Sequence, residues 1–153
     1  MSSSSSRTVF ALVVDDVDMV REAIRRYLQR HGCRVTTARD GVEGLEAIRA
    51  RAYDAVIADL RTQRRGATWL YEQALMFRPD IRGRFVFCTS PPLPGPAVMS
   101  LVAGSERFLL KPFSLEAIWQ QVREIVADKG NGRRASAPRI DVSPPPVGAL
   151  RRT

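Results

Sequence analysis

Five short apolar runs, each followed by a stretch with helical periodicity, constrain this chain more than any other feature. Val9 to Val14 (VFALVV) is followed by Asp15 and Asp16; Arg34 to Ala38 (RVTTA) is short and β-branched; Tyr53 to Leu60 (YDAVIADL) carries Val56, Ile57 and Ala58 before Asp59. Arg84 to Thr89 (RFVFCT) and Arg107 to Leu110 complete the set, the last leading into Lys111-Pro112. Runs this short and this apolar suit strands buried on both faces, and strands alternating with helices predict a parallel sheet covered on both sides.

The helices follow from spacing. Val20, Ala23, Ile24, Tyr27 and Leu28 recur on one face of Met19–Arg30 while Arg21, Arg25, Arg26 and Arg30 take the other, with Asp18 as the expected cap and Gly32 beyond the end. Asp40 and Glu43 form a capping box for a helix through Arg51, with Val42, Leu45 and Ile48 inward. A third helix is expected over Ala67–Phe77, with Leu70, Ala74 and Phe77 inward, stopped by Pro79. After Pro91, Pro92, Pro94 and Pro96 a short helix is expected from Ala97 to Ala103, ended by Gly104. Ser114 caps the last, where Leu115, Ile118, Val122, Ile125 and Val126 face the sheet.

At 153 residues and 44% hydrophobic the chain suits one domain with a real core. The net charge of +8 is uneven, because residues 129–153 carry six Lys or Arg against one Asp. A fold built to grip nucleic acid should carry its charge on the folded body, so specific nucleic-acid binding is not expected. Residues 1–7 read as a disordered lead, 8–128 as the folded domain, and 129–153 as a disordered basic, Pro- and Arg-rich tail. Val9–Val14 is too short for a signal peptide or membrane span, which predicts a cytoplasmic protein with no membrane contact. Cys33 and Cys88 lack metal or redox spacing and read as reduced, buried thiols inside strands.

Right-handed crossovers bring Asp15, Asp16, Asp59, Thr89 and Lys111 to one edge of the sheet. Three carboxylates within about 4 Å would repel by roughly 4 kcal/mol per pair at an effective dielectric near 20, more than one lysine neutralises. An all-oxygen, partly hydrated site of this kind suits Mg²⁺. A cation beside a free carboxylate, with an ammonium and a hydroxyl opposite, suits phosphoryl transfer to Asp59. Taken singly, Asp15-Asp16 would read as a turn or cap, Lys111 as a solvated strand end and Thr89 as an ordinary strand residue. Their co-occurrence favours the site.

These residues, with Phe108 and the GSERFLLKPF stretch, resemble the response-regulator receiver domain of two-component signalling over about Thr8 to Asp128. Thr89 lies thirty residues past Asp59 and Lys111 fifty-two, as the family pattern requires, and RGRFVFCTS is similar to receivers attached to hybrid histidine kinases. The resemblance implies a flavodoxin-like doubly wound five-stranded parallel sheet, order 2-1-3-4-5, with five helices. It implies Asp59 as phosphoacceptor, Asp15, Asp16, Asp59 and the Arg61 carbonyl as Mg²⁺ ligands, and a cis Lys111-Pro112 peptide. Thr89 and Phe108 would be the switch, with Phe108 turning inward on phosphorylation and altering the face of the fourth helix, fifth strand and fifth helix. The donor would be a histidine kinase or phosphotransfer protein and the output a downstream protein contact; no further catalysis beyond phosphotransfer and self-dephosphorylation is implied. Monomer and phosphorylation-linked dimer both remain open.

The family's usual Met-Pro is replaced by Thr62-Gln63 in the basic loop Arg61, Arg64, Arg65, which affects loop geometry and dephosphorylation rate. Two other functions stay in view. One is a degenerate receiver that binds partners without phosphorylation. The other is a haloacid-dehalogenase-like phosphatase with Asp16 as nucleophile and Asp18 as acid/base, which leaves Asp59 without a role. No output domain is expected to fit after Asp128. Trp119 reads equally as core or partner contact, and His31 as a terminal charge rather than a catalytic group.

Overall fold

A computed structural model of the chain describes residues 7–61, 65–92, 95–96, 106–130 and 140–141. Its elements are β1 (Phe10–Val14), α1 (Asp18–Arg30), β2 (Arg34–Ala38), α2 (Gly41–Ala50), β3 (Ala55–Asp59), α3 (Ala67–Phe77), a 3₁₀ turn (Pro79–Ile81), β4 (Phe85–Thr89), β5 (Arg107–Leu110), α4 (Leu115–Gly130) and β6 (Ile140–Asp141). The strand order is β2-β1-β3-β4-β5-β6, all parallel. The expected 2-1-3-4-5 order holds.

Strand periodicity divides the core in two. Leu12, Val14, Val56, Ala58, Phe85, Phe87 and Phe108 point to one face, where Ile48 of α2 and Leu70, Tyr71 and Ala74 of α3 cover them. Ala11, Val13, Ala55, Ile57, Val86, Cys88 and Leu109 point to the other, under Ile24 and Leu28 of α1 and Ile118, Val122 and Ile125 of α4. Each fully buried Leu, Ile, Val or Phe contributes about 1.5–3 kcal/mol, so neither face is stable without its helices. The two layers of helices hold the sheet rigid and leave its strand ends free to carry chemistry.

Several local expectations are corrected. Asp18 is the first helical residue rather than the cap of α1; Val17 is the cap, without a side-chain bond. The Asp15 carboxylate accepts from Val17 N–H at 2.9 Å and so starts the turn itself, while Asp18 pairs with Arg21 at 2.5 Å. The Asp40 side chain does accept from Glu43 N–H (2.9 Å), but Glu43 reaches back to Arg39 N–H (2.8 Å), one residue earlier than a capping box requires. In α2 the most buried positions are Gly41, Gly44 and Ile48, with Val42 and Leu45 only half-buried. Gly41 is required: a β-carbon there would stand 1.8 Å from the Arg65 carbonyl oxygen, which brings the start of α2 against the loop entering α3. Phe77 is 50% exposed rather than inward, and Arg49 lies over its ring at 4.8 Å. Tyr71 takes the inward place, edge-on to Phe85 and Phe87.

The described residues contain four α-helices rather than five, because the helix expected over Ala97–Ala103 lies outside them. At the C-terminal side, α4 runs two residues past Asp128. Two residues of the segment expected to be disordered, Ile140 and Asp141, pair with Phe108 and Leu109. The physical reason is the open edge of β5, whose unpaired N–H and C=O groups are a template for any extended segment. The remainder of 131–153 and residues 1–6 lie outside the described residues. Cys33 precedes β2 rather than lying within it; both thiols are free and buried.

At the N-terminal rim of the sheet, the starts of β4 and β5 are tied down by buried polar networks that the sequence did not announce. Glu106, fully buried, accepts from the Tyr71 hydroxyl (2.8 Å), Gly83 N–H (2.8 Å) and Phe85 N–H (2.9 Å). Arg107 donates to Gln121 (3.0 Å), Glu124 (2.7 Å) and Asp128 (3.0 Å), tying β5 to α4. Both satisfy charge inside the fold.

Candidate functional site

In a parallel sheet all strands end at the same rim, and the register decides which ends are neighbours. Val14 pairs with Ala58, so Asp15 and Asp59 stand side by side one residue further on. Thr89 pairs with Leu110, and Lys111 N–H donates to the Thr89 carbonyl at 2.8 Å. Lys111 thus reaches back across β4 towards the acids.

Carboxylate oxygens of Asp15, Asp16 and Asp59 lie within 4.8 Å of one another. Lys111 Nζ donates to Asp59 Oδ2 at 2.5 Å and lies 3.6 Å from Asp15 Oδ2. The other Asp59 oxygen accepts from Arg61 N–H at 2.8 Å. Asp15 and Asp59 are buried and Asp16 is more open to solvent. Burial pushes the Asp15 carboxyl above its ordinary value, aided by the charges of Asp59 and Asp16 and opposed by Val17 N–H and Lys111. Burial alone would lower Lys111, but the hydrogen bond it donates to Asp59 and the charges of Asp15 and Asp59 outweigh it and raise it. Among the described residues one ammonium, paired with Asp59 and Asp15, thus faces a cluster of three carboxylates, an excess of negative charge that a hard divalent cation with oxygen ligands would relieve.

The remaining expected residues fall around this centre. Thr89 is fully buried, its hydroxyl directed to the Ser90 carbonyl at 3.4 Å. Lys111-Pro112 is cis, as the resemblance implies, and so is Pro91-Pro92. Phe108, expected to turn inward on phosphorylation, is already 1% exposed and packs on Phe87 with ring centroids 5.6 Å apart. Trp119 is neither pure core nor a free surface: it stacks on His31 at 4.6 Å, and His31 also meets Tyr27 at 4.8 Å. Thr62, Gln63 and Arg64 lie outside the described residues.

One contributor was missed. The Arg61 guanidinium donates to the carbonyls of Ser90 and Pro92, both at 3.0 Å, clasping the loop after the acceptor strand to the loop after Thr89. The signal available was an arginine two residues past Asp59 facing a loop rich in proline, whose carbonyls lack neighbouring N–H partners. Beside Lys111, a largely apolar cavity of about 430 Å³ opens between α1 and the loop entering α4, lined by Met19, Val20, Ala23, Pro112, Phe113 and Leu115. Met19 is 68% exposed at its mouth.

Comparison with known proteins decides the family. The response regulator receiver domain matches residues 11–123. The chain belongs to this family. A curated relative, the response regulator MprA of Mycolicibacterium vanbaalenii, is 33% identical over 140 residues, covering 89% of this chain and 60% of that protein. The MprA of Mycobacterium ulcerans is 34% identical over 119 residues, 78% of this chain and 50% of the relative. The chain thus spans about half to three-fifths of the length of these relatives. Among solved structures, a CheY-like receiver domain protein from Methanospirillum hungatei superposes with a TM-score of 0.73 at 18% identity, over 82% of this chain and 99% of that one. The likeness of the structures is one of fold.

The receiver domain is a signalling module of two-component systems rather than a classical enzyme, and membership implies contact with histidine kinases or phosphotransfer proteins. Family members generally bind Mg²⁺ at an acidic pocket, and the Asp15, Asp16 and Asp59 cluster is a pocket of that kind. The dehalogenase-type reading ends here, since family and sheet place Asp59 at the centre. No helix among the described residues is long and apolar enough to cross a membrane.

Proposed function

We propose that this receiver acts in the cytoplasm, accepting a phosphoryl group on Asp59 from a partner's phosphohistidine and signalling through altered protein contacts. The observation that carries the reading is the convergence of Lys111 Nζ on Asp59 at 2.5 Å with Asp15 and Asp16 beside it. Asp15, Asp16, Asp59 and the carbonyl of Arg61 would hold Mg²⁺. When bound, the ion supplies charge neutralisation for the phosphoryl oxygens.

The chain's own residues account for the remainder of the step. An Asp59 oxygen attacks phosphorus, the N–P bond of the donor imidazole breaks, and the imidazole leaves with the electron pair. Lys111 stays protonated, because its acid neighbours raise its pKa, and pairs with the added negative charge. Arg61 N–H fixes the orientation of the Asp59 carboxylate. The apolar cavity flanked by Met19 and Pro112 opens beside Lys111, where a helix carrying the donor histidine would dock. The Thr89 hydroxyl lies one strand from Asp59 and would turn from the Ser90 carbonyl to the phosphoryl group.

One observation favours a second reading, a module that binds its target without phosphorylation: Phe108 already occupies the inward position. One experiment separates the two. Incubation with acetyl phosphate and Mg²⁺ should add one phosphoryl mass, and Asp59→Ala should abolish it; an unlabelled wild-type protein leaves only the second reading.

A further inference from the structure

At the rim opposite Asp59, where β1, β3 and β4 begin, lies a cavity of about 310 Å³ lined by Arg7, Phe10, Arg51, Tyr53, Asp54 and Arg84. We propose that it is a second binding site, for a small phosphorylated molecule whose phosphate is held by Arg51 and Arg84.

The charges are arranged for an anion. Arg7 is paired with Asp54, whose other oxygen accepts from Phe10 N–H at 2.9 Å, so the carboxylate in the cavity is engaged on both oxygens. The Arg51 guanidinium lies over the Phe10 ring, Cζ to centroid 3.5 Å, and 5.8 Å from the Tyr53 centroid. Its Nε donates to the Ala52 carbonyl at 3.3 Å. Arg84 Nη1 donates to the Tyr53 carbonyl at 2.9 Å and its side chain is only 12% exposed; Asp80, 68% exposed at the rim, stands 3.7 Å from Nη2. Among the described residues, three guanidiniums thus line the cavity with one engaged carboxylate, and one solvated carboxylate stands at its rim.

Arg84 is largely buried against the Tyr53 carbonyl, and Arg51, though exposed, stacks on Phe10. These contacts restrain both guanidiniums before any ligand arrives, which reduces the side-chain ordering that binding would otherwise require. A planar fork presenting paired N–H groups matches two oxygens of a phosphate. The size excludes a long polyanion: a concave site of this volume accommodates a phosphate with a small organic group, whereas a nucleic acid needs an extended basic stripe. Asp59 and its neighbours lie at the other ends of the strands, so the site is separate from the phosphoacceptor.

The test is an NMR titration of the full chain with ribose 5-phosphate, without Mg²⁺ and at constant ionic strength. Saturable shifts are expected at the amides of Phe10, Ala52, Tyr53 and Asp54, with affinity falling about tenfold in Arg51→Gln, the loss of one charge-assisted contact. Acetyl phosphate labelling of Asp59 in that variant should match wild type. Shifts that do not saturate, that gather at Lys111 instead, or that are unchanged in Arg51→Gln would overturn the proposal. So would binding to vesicles containing phosphatidic acid with none to the soluble sugar phosphate, since that would make the ligand a lipid surface.

Discussion

Asp15→Asn isolates the electrostatic argument of the site. Asp15 faces Asp16 and Asp59 with oxygens within 4.8 Å, and at an effective dielectric near 20 each such pair repels by about 3.5 kcal/mol. Lys111 at 3.6 Å offsets about 4.6 kcal/mol on the same scale. The balance, roughly 2 kcal/mol before solvent screening of Asp16, opposes folding whenever Asp15 is ionised and no cation is bound. Asparagine keeps an acceptor for Val17 N–H and removes the charge. In EDTA the variant should therefore be more stable than wild type by about 1–2 kcal/mol, a rise in Tm of about 5 °C. The pH dependence has the matching sign. Because the folded-state pKa of Asp15 is raised above 3.8, the metal-free fold takes up a proton more readily than the unfolded chain, and this residue's contribution to stability increases as pH falls through the raised value. Adding Mg²⁺ should reverse the ranking: at a hundred times its Kd the ion stabilises wild type by about 2.7 kcal/mol and the variant by far less. Urea melts with and without Mg²⁺ measure both effects. A variant less stable than wild type in EDTA would show that the Lys111 pair outweighs the repulsion and would refute the reasoning.

Gly41→Ala should destabilise the domain by about 1–3 kcal/mol in urea melts, because the new methyl meets the Arg65 carbonyl backbone rather than a yielding side chain. The Arg107 network should show an asymmetry. Glu124→Ala with Asp128→Ala leaves a buried guanidinium with Gln121 and should cost about 2–3 kcal/mol, whereas Arg107→Met frees two part-exposed carboxylates to solvent and should cost about 1 kcal/mol or less. Equal losses in a denaturation series would contradict this. Burial, with Asp54 nearby, pushes the Cys33 thiol up to about 11, and burial pushes Cys88 up as well. Neither should react with a thiol reagent at pH 8 within minutes in the native protein, and both should react in urea.

The sheet order was legible because apolar runs such as Val56–Ala58 have one use in a parallel sheet, and the site because those runs end on Asp15, Asp59, Thr89 and Lys111. What sequence could not supply was competition among neighbours. Asp18 has the right residue type and place for a cap, but Asp15 reaches Val17 N–H first. Phe77 has helical spacing for the core, yet Tyr71 fills that space and leaves Phe77 beneath Arg49. Arg107 opens an apolar strand, and only the approach of Gln121, Glu124 and Asp128 from α4 makes its burial sustainable. Ile140–Asp141 has no periodicity; its strand state depends on the open β5 edge.

The central claim is that Asp59, and no other carboxylate of the acidic cluster, carries the phosphoryl group. Borohydride reduction after treatment with acetyl phosphate and Mg²⁺ converts an aspartyl phosphate to homoserine, and peptide mass mapping then locates it. The account predicts homoserine at position 59 alone. Homoserine at position 15 or 16, or none in a protein that binds Mg²⁺, would contradict it.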